Sequence, residues 1–104
     1  MLPIRSAQPP AAVPYFDMAR RRLTFKGRLV KQFRVPATSQ GLILIAFEEQ
    51  KWAARIDDPL PPSDGKDPKR RLHDAIDGLN RNHKCRLLRF AGDGTGRGVC
   101  WELL

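Results

Sequence analysis

Residues 67–82 have the sequence DPKRRLHDAIDGLNRN, and this stretch carries the clearest structural signal in the 104-residue chain. Asp67 is suited to cap a helix and Pro68 to begin it, because proline lacks the N–H that the first turn leaves unpaired. The apolar residues that follow recur at the spacing i, i+3, i+4 and i+7, and they are Leu72, Ala75, Ile76 and Leu79. The pattern predicts an amphipathic helix over 68–82 with one face in the core.

A second helix is predicted upstream, over about residues 40–52. Its apolar residues form a stripe at helical spacing, made of Leu42, Ile45, Ala46 and Trp52 with Phe47 beside them. Thr38 or Ser39 is suited to cap its start. Residues 42–45 fit a central strand equally well by periodicity, and the polar residues 48–51 favour the helix. Between the two helices, residues 57–67 contain three prolines and a glycine, which predicts a surface loop.

Short strands are predicted on both sides of the helices. Apolar and polar residues alternate from Leu23 to Val35, which favours two strands that are joined by a turn at Lys26-Gly27 and ended by Pro36. Near the C-terminus, the extended runs 86–90 and 99–103 flank the glycine-rich stretch 91–98. This pattern predicts a hairpin with a long tip.

The N-terminal residues 1–14 contain four prolines and little that could be buried. We therefore expect a disordered or extended arm, followed by one domain over residues 15–104. Tyr15 and Phe16 fall outside the predicted core pattern, and we expect them to cover the domain or to contact a partner.

The net charge of the chain indicates which kinds of partner are expected. The chain holds 19 basic and 11 acidic residues, a formal charge of +8. Residues 1–55 hold ten of the basic and three of the acidic residues, so the excess lies in the first half. A surface of this charge attracts polyanions, and nucleic acid is the commonest of them.

Other features of the composition set the expected compartment. No stretch approaches the roughly 20 apolar residues of a bilayer span, so no membrane partner is expected. The N-terminus also lacks the apolar segment of a secretory signal. The two cysteines, Cys85 and Cys100, fit a reduced compartment and are expected to be small buried residues. Together these features predict a cytoplasmic protein.

The order of the predicted elements resembles that of the winged helix-turn-helix domain. It is similar in particular to the effector domain of OmpR/PhoB-type response regulators, which opens with an extra N-terminal sheet. The resemblance covers residues 23–104. It implies an α+β fold with an N-terminal β-hairpin, two main helices and a C-terminal β-hairpin wing. The family also has a short helix between the two main ones, and here the Pro-rich interval 56–62 leaves room for one turn at most.

The resemblance implies that residues 68–82 form the recognition helix in the major groove and that residues 87–103 form the wing. On this helix, Arg70, His73 and Asn80 would face bases, because arginine and asparagine make paired hydrogen bonds to base edges. The alternative is a solvated face on which Arg70 pairs with Asp74 and Asp77 with Arg81. The full set of predicted nucleic-acid contacts is Arg20, Arg21, Arg22, Arg28, Lys31, Lys69, Arg70, His73, Asn80, Arg81 and Arg97.

No motif for catalysis, a metal or a cofactor is found. The glycine-rich stretch 91–98 lacks the Gly-Lys-Ser/Thr of a P-loop, and it is flanked by strand-like residues on both sides. The two histidines and two cysteines lack the short spacing of structural zinc sites. His83 and Cys85 lie close in sequence, but no third group is indicated that would orient them as a nucleophilic pair. We therefore expect a binding protein without cofactor or metal, and not an enzyme.

The sequence thus predicts a basic module that binds nucleic acid, with duplex DNA favoured and transcriptional regulation as the process. Two alternatives stay open: a winged-helix module for protein–protein interaction, and binding of structured RNA through the same basic surface. The prediction depends on one spatial assumption, which is that the basic strands, the helix over 68–82 and the glycine-rich tip share one face. The oligomeric state does not follow from the sequence.

Overall fold

The computed structural model of the chain describes residues 13–34, 38–62 and 65–104. The fold is α+β, with two helices and two three-stranded antiparallel sheets. In chain order the elements are β1 (Pro14–Asp17), β2 (Arg22–Phe25), β3 (Arg28–Gln32), α1 (Thr38–Glu49), β4 (Arg55–Asp57), α2 (Pro68–Asn80), β5 (Leu88–Gly92) and β6 (Gly98–Leu103). Neither of these two helices is long and apolar enough to cross a membrane.

The first sheet has the order β1-β2-β3 and contains the predicted hairpin of β2 and β3. Lys26 and Gly27 form its turn with φ angles of 52° and 77°, as the sequence indicated. Strand β1 was not predicted. It begins at Pro14. Of the rest of the expected arm, Val13 belongs to the described residues and residues 1–12 lie outside them. Tyr15 points to solvent, whereas Phe16 is buried and its N–H donates to Glu48 Oε1 at 2.6 Å.

A bulge in this sheet decides where Lys31 points. The register of β2 and β3 shifts between Leu23 and Thr24, so that Leu23 pairs with Lys31 and Thr24 with Leu29. Val30 is the extra residue that this shift leaves in β3. As a result Val30 and Lys31 are both buried, at 0% and 6% exposure.

Helix α1 ends at Glu49, three residues before the predicted end at Trp52. Lys51 N–H donates to Glu48 O at 3.0 Å and Trp52 N–H to Phe47 O at 2.7 Å, which are the two hydrogen bonds of a Schellman motif. Lys51 adopts the left-handed conformation of this motif, with φ of 54°. The turn returns the Trp52 ring to Phe47, with ring centroids 4.9 Å apart, so Trp52 packs in the core although it lies outside the helix.

Helix α2 has the predicted start and the predicted buried face. The Asp67 carboxylate accepts a hydrogen bond from Lys69 N–H at 3.1 Å, and Pro68 is the first helical residue. The buried residues are the four predicted ones, Leu72, Ala75, Ile76 and Leu79. The helix ends at Asn80 rather than near Asn82, because Arg81 is extended and Asn82 has a φ of 57°.

The second sheet has the order β4-β6-β5 and contains the predicted C-terminal hairpin. Its tip spans residues 93–97, shorter than the predicted 91–98, since Ala91 and Gly92 belong to β5 and Gly98 to β6. Strand β4 was not predicted, and it pairs with β6 over Arg55–Asp57. The described residues of the interval 58–67 contain no helix.

One hydrophobic core joins the two sheets to the two helices. Phe47, Trp52 and Phe90 form an aromatic cluster there, and Trp101 packs edge-on against Trp52 with ring centroids 5.6 Å apart. Trp101 Nε1–H also donates to Trp52 O and Ala53 O. The core therefore uses most of the aromatic residues, including Phe16, which was expected to lie outside it.

Candidate nucleic-acid interface

The solvent-facing side of α2 carries both basic and acidic groups. Arg70 Nε lies 3.7 Å from an Asp74 carboxylate oxygen, the i,i+4 pair that the alternative interpretation expected. Asp77 pairs with His73, whose Nε2 is 3.4 Å away, and not with Arg81. Exposed pairs of this kind contribute about 0–1 kcal/mol each. The acids thus lower the positive charge of this face without fixing its side chains.

The N-terminal end of α2 lies against the hairpin tip. A side chain at position 96 would place its Cβ 2.7 Å from Cγ and Cδ of Lys69, so any residue other than glycine would push the lysine stem aside. The Lys69 stem therefore packs against the tip beside Arg97, which is exposed. The structure thus places Lys69 against Gly96, the chain neighbour of Arg97, with Arg70 and His73 further along the same helix. We call Lys69, Arg70 and Arg97, together with the neighbouring His73, the cationic edge, whose charge comes from the lysine and the two arginines.

A groove of about 680 Å³ lies between α2 and β5 and continues from the cationic edge. Apolar groups from Leu72, Ile76 and Phe90 contribute to its lining. Its charged and titratable lining residues are Lys69, His73, Asp77, His83, Arg86 and Arg89. Asp77 is the one acid among these described lining residues, so the groove has a positive balance.

Sequence reasoning missed Arg86 and Arg89 as members of this surface. Both were within a run predicted as a strand, and Arg89 alternates with the buried Leu88 and Phe90. That alternation was the signal that Arg89 is exposed. Part of its charge is balanced, because its Nε lies 3.7 Å from a Glu102 oxygen.

The basic stretch Arg20–Arg22 lies elsewhere. Arg22 pairs with Gln32 at the end of the β2–β3 ladder, and Arg21 donates to Phe33 O and Arg34 O. Gln32 is next to Lys31, whose ammonium reaches the C-terminal end of α2, so Arg22 lies near that end. The cationic edge lies at the N-terminal end of α2. Since 13 helical residues span about 20 Å, the stretch and the edge lie toward opposite ends of α2.

Arg28 also lies away from the cationic edge. It is exposed at the start of β3, and its Nη2 is 4.0 Å from Cys85 Sγ. The assumption of a single face that joins all the predicted basic residues is therefore not met in the structure.

Lys31 is not available for phosphate, contrary to the prediction. Its ammonium donates to Gly78 O and to Arg81 O, the latter at 2.9 Å, and so caps the C-terminal carbonyls of α2. The ammonium also lies 5.1 Å from the centre of the Phe33 ring. Burial, and secondarily the nearby Arg81 charge, lowers the pKa of Lys31. The bulge at Val30 places Lys31 opposite the buried Leu23, and the alternation of the sequence alone does not show this.

The Asn80 side chain is also hydrogen-bonded within the protein and is not free to contact a base. Its Nδ2 donates to Phe90 O and its Oδ1 accepts from Phe90 N–H, each at 2.8 Å. These two bonds fasten the end of α2 to the outer edge of β5. Arg81 remains exposed, and its Nε donates to Asp77 O at 3.3 Å.

His83 completes the C-terminal end of α2. Its Nε2 lies 2.7 Å from Leu79 O, which makes Nε2 the protonated nitrogen of the neutral ring. Nδ1 is buried and has no hydrogen-bond partner among the described residues. Burial lowers the pKa of His83, and the Lys31 and Arg86 charges lower it further against the opposing effect of Leu79 O.

The two cysteines, the remaining candidate metal ligands, belong to no metal-binding cluster of the described residues. Cys85 and Cys100 are free and half-buried. Within residues 13–34, 38–62 and 65–104, no group of three or more His, Cys, Asp or Glu side chains could hold a metal ion. Comparison of the chain with known protein families, with curated proteins and with solved structures gave no match.

Proposed function

We propose that this protein is a nucleic-acid-binding module, and not an enzyme, that docks on duplex DNA in transcriptional regulation. In this proposal the fold acts as a winged helix. Helix α2 lies at the major groove, and the β5–β6 hairpin contacts the flanking backbone.

The observation that carries the proposal is the contact between the Lys69 stem and Gly96. It joins the start of α2 to the hairpin tip, on which Arg97 is exposed. The N-terminal end of a helix also carries partial positive charge, which adds to the attraction for phosphate. The formal charge of +8 supplies the longer-range attraction.

Phosphate contacts supply most of the affinity in this proposal, and base readout supplies little. Asn80 is occupied by Phe90, and Arg70 and His73 each have an acidic neighbour on the helix. A side chain that must first give up its contact with a carboxylate gains less free energy from a hydrogen bond to a base. We therefore expect a binding constant that falls steeply with salt and depends weakly on sequence.

The test is a fluorescence anisotropy titration with duplex DNA, single-stranded DNA and an RNA hairpin at several salt concentrations. The double variant Lys69→Ala/Arg97→Ala removes two predicted phosphate contacts. The slope of log K against log salt should become shallower by about 1.8, from about 0.9 per phosphate. Tighter binding of the RNA hairpin than of the duplex would favour RNA as the ligand instead.

The matched control is Arg20→Ala/Arg22→Ala, which removes the same charge from the far end of the first sheet. It should lower the affinity less and leave the slope nearly unchanged. Equal effects of the two double variants would show that affinity follows net charge alone. The absence of salt-dependent duplex binding by the unaltered protein would refute the proposal.

A protein–protein interaction module is the second candidate function. The observation in its favour is that Asp74 and Asp77 are exposed on the face of α2 that would meet DNA. Carboxylates near phosphate repel it, whereas they suit a partner with basic groups. The double variant Asp74→Asn/Asp77→Asn distinguishes the two, since it should strengthen duplex binding and weaken a protein contact at this face.

A further inference from the structure

The hairpin tip is held by a chain of hydrogen bonds that ends at Arg97. Asp93 Oδ1 accepts from Thr95 N–H at 2.9 Å and from the Thr95 hydroxyl at 2.6 Å. The Thr95 oxygen in turn accepts from Arg97 N–H at 3.1 Å. The main chain of Arg97 is thus fixed through Thr95 to a carboxylate at the base of the tip.

That carboxylate is itself anchored to β4. Asp93 Oδ2 accepts from Arg55 Nε at 2.6 Å, and the Asp93 side chain is 10% exposed. The hydrogen bonds from Thr95 and Arg55 hold the pKa of Asp93 well below its usual range. Gly98 permits this arrangement, because a Cβ there would collide with the Arg55 guanidinium and the Asp93 carboxylate.

A second anchor holds the other side of the tip. Asp58 N–H donates to Arg97 O at 2.8 Å, and Asp93 N–H donates to Gly98 O at 3.2 Å. Both peptide groups of Arg97 are therefore engaged while its side chain stays exposed. The two glycines of the tip, Gly94 and Gly96, would otherwise leave it free to move, and ordering it on binding would cost affinity.

We propose that Asp93 and Thr95 are positioning residues, which hold the tip so that the Arg97 guanidinium meets a phosphate without a prior ordering step. This inference rests on the proposed function. It makes a prediction opposite to that of simple electrostatics. Removal of the negative charge of Asp93 should weaken binding to a polyanion, although the net charge rises by one.

The positioning role is tested by measuring duplex DNA binding by fluorescence anisotropy for two matched pairs of variants. Thr95→Val removes the hydroxyl without a change in charge, and Thr95→Ser retains it. Asp93→Asn leaves a single acceptor oxygen for the donors of both Thr95 and Arg55, whereas Asp57→Asn removes the same charge from an 87%-exposed carboxylate that touches Arg55 but not the tip. We expect Thr95→Val and Asp93→Asn to bind roughly two- to tenfold more weakly, the range of one hydrogen bond. Thr95→Ser should bind as the unaltered protein does, and Asp57→Asn at least as tightly.

A double-mutant cycle with Arg97→Ala separates positioning from a general loss of structure. If Thr95 acts through Arg97, Thr95→Val should have little further effect once Arg97 is alanine. A similar melting temperature for Thr95→Val and Thr95→Ser confirms that the fold persists.

Failure of the positioning role and failure of the proposed function give different results in these measurements. If the unaltered protein binds no duplex, the proposed function fails. If it binds, and Thr95→Val and Asp93→Asn bind as tightly as it does or tighter, the positioning role is overturned. Additive effects of Thr95→Val and Arg97→Ala would overturn it as well.

Discussion

Lys31→Met keeps the apolar stem of a buried side chain and removes the ammonium that caps helix α2. The Gly78 and Arg81 carbonyls then lose their donor at the point where α2 meets the first sheet. Hydrogen bonds to a charged group contribute about 1.5–3 kcal/mol each, and the desolvation of the ammonium offsets part of that sum. We expect a net loss of about 2 kcal/mol in the free energy of unfolding.

Urea denaturation and thermal melting measure this loss. For a domain of this size, about 2 kcal/mol corresponds to a fall in Tm of roughly 8–16 °C. The control is Lys26→Met, an exposed lysine in the turn of the same hairpin, which should change stability by no more than about 0.5 kcal/mol. Lys31→Met should leave the salt slope of duplex binding unchanged, because its ammonium faces the protein.

The pH dependence gives a further check on Lys31. Burial lowers its pKa in the folded protein, so the unfolded chain holds this proton more tightly as the pH approaches 10.5. The unaltered protein should therefore gain stability relative to Lys31→Met as the pH rises in this alkaline range. A variant of full stability with a salt slope shallower by about 0.9 would contradict this account, and would make Lys31 a phosphate ligand.

Three other perturbations test the fold around the site. Burial lowers the folded-state pKa of His83, so the unfolded chain takes up this proton first, and stability should fall as the pH drops below about 6.5; His83→Gln should reduce the difference in unfolding free energy between pH 7.5 and pH 5.5, and an unchanged difference would contradict this account. Lys51→Gly should raise stability by about 0.5–1 kcal/mol in chemical denaturation, since glycine adopts the left-handed conformation at the end of α1 without strain; a loss of stability would argue against the Schellman motif. Asn80→Ala should cost about 1–3 kcal/mol and speed hydrogen exchange at Phe90 N–H, because two buried main-chain groups lose their partner; exchange as slow as in the unaltered protein would show that Asn80 does not hold β5.

Much of the fold follows from local signals in the sequence. Helix α2 was predicted from its capping residue and from the spacing of Leu72, Ala75, Ile76 and Leu79, because local geometry and burial favour the same structure there. Strand β4 was missed because three residues are too few to show an alternating pattern, and strand β1 because it adjoins the proline-rich stretch that predicted an arm. Their pairing depends on residues far along the chain, such as those of β6.

The candidate site was less predictable than the fold. Charge alone suggested that Lys31 and Arg20–Arg22 belong with the helix, but the β-bulge turns Lys31 inward and the ladder carries the arginines to the opposite end of α2. The Asp93–Thr95–Arg97 chain was also missed, because hydrogen bonds within a tip depend on its backbone conformation and on Arg55 from another strand.

The central claim is that the cationic edge, at the start of α2 and the hairpin tip, is where the protein meets nucleic acid. Its most direct test is an NMR titration of the ¹⁵N-labelled protein with a short duplex. The largest amide shifts should fall in residues 69–73 and 93–98, with small shifts in residues 20–22. Shifts concentrated in residues 20–34, with the tip unchanged, would contradict the claim.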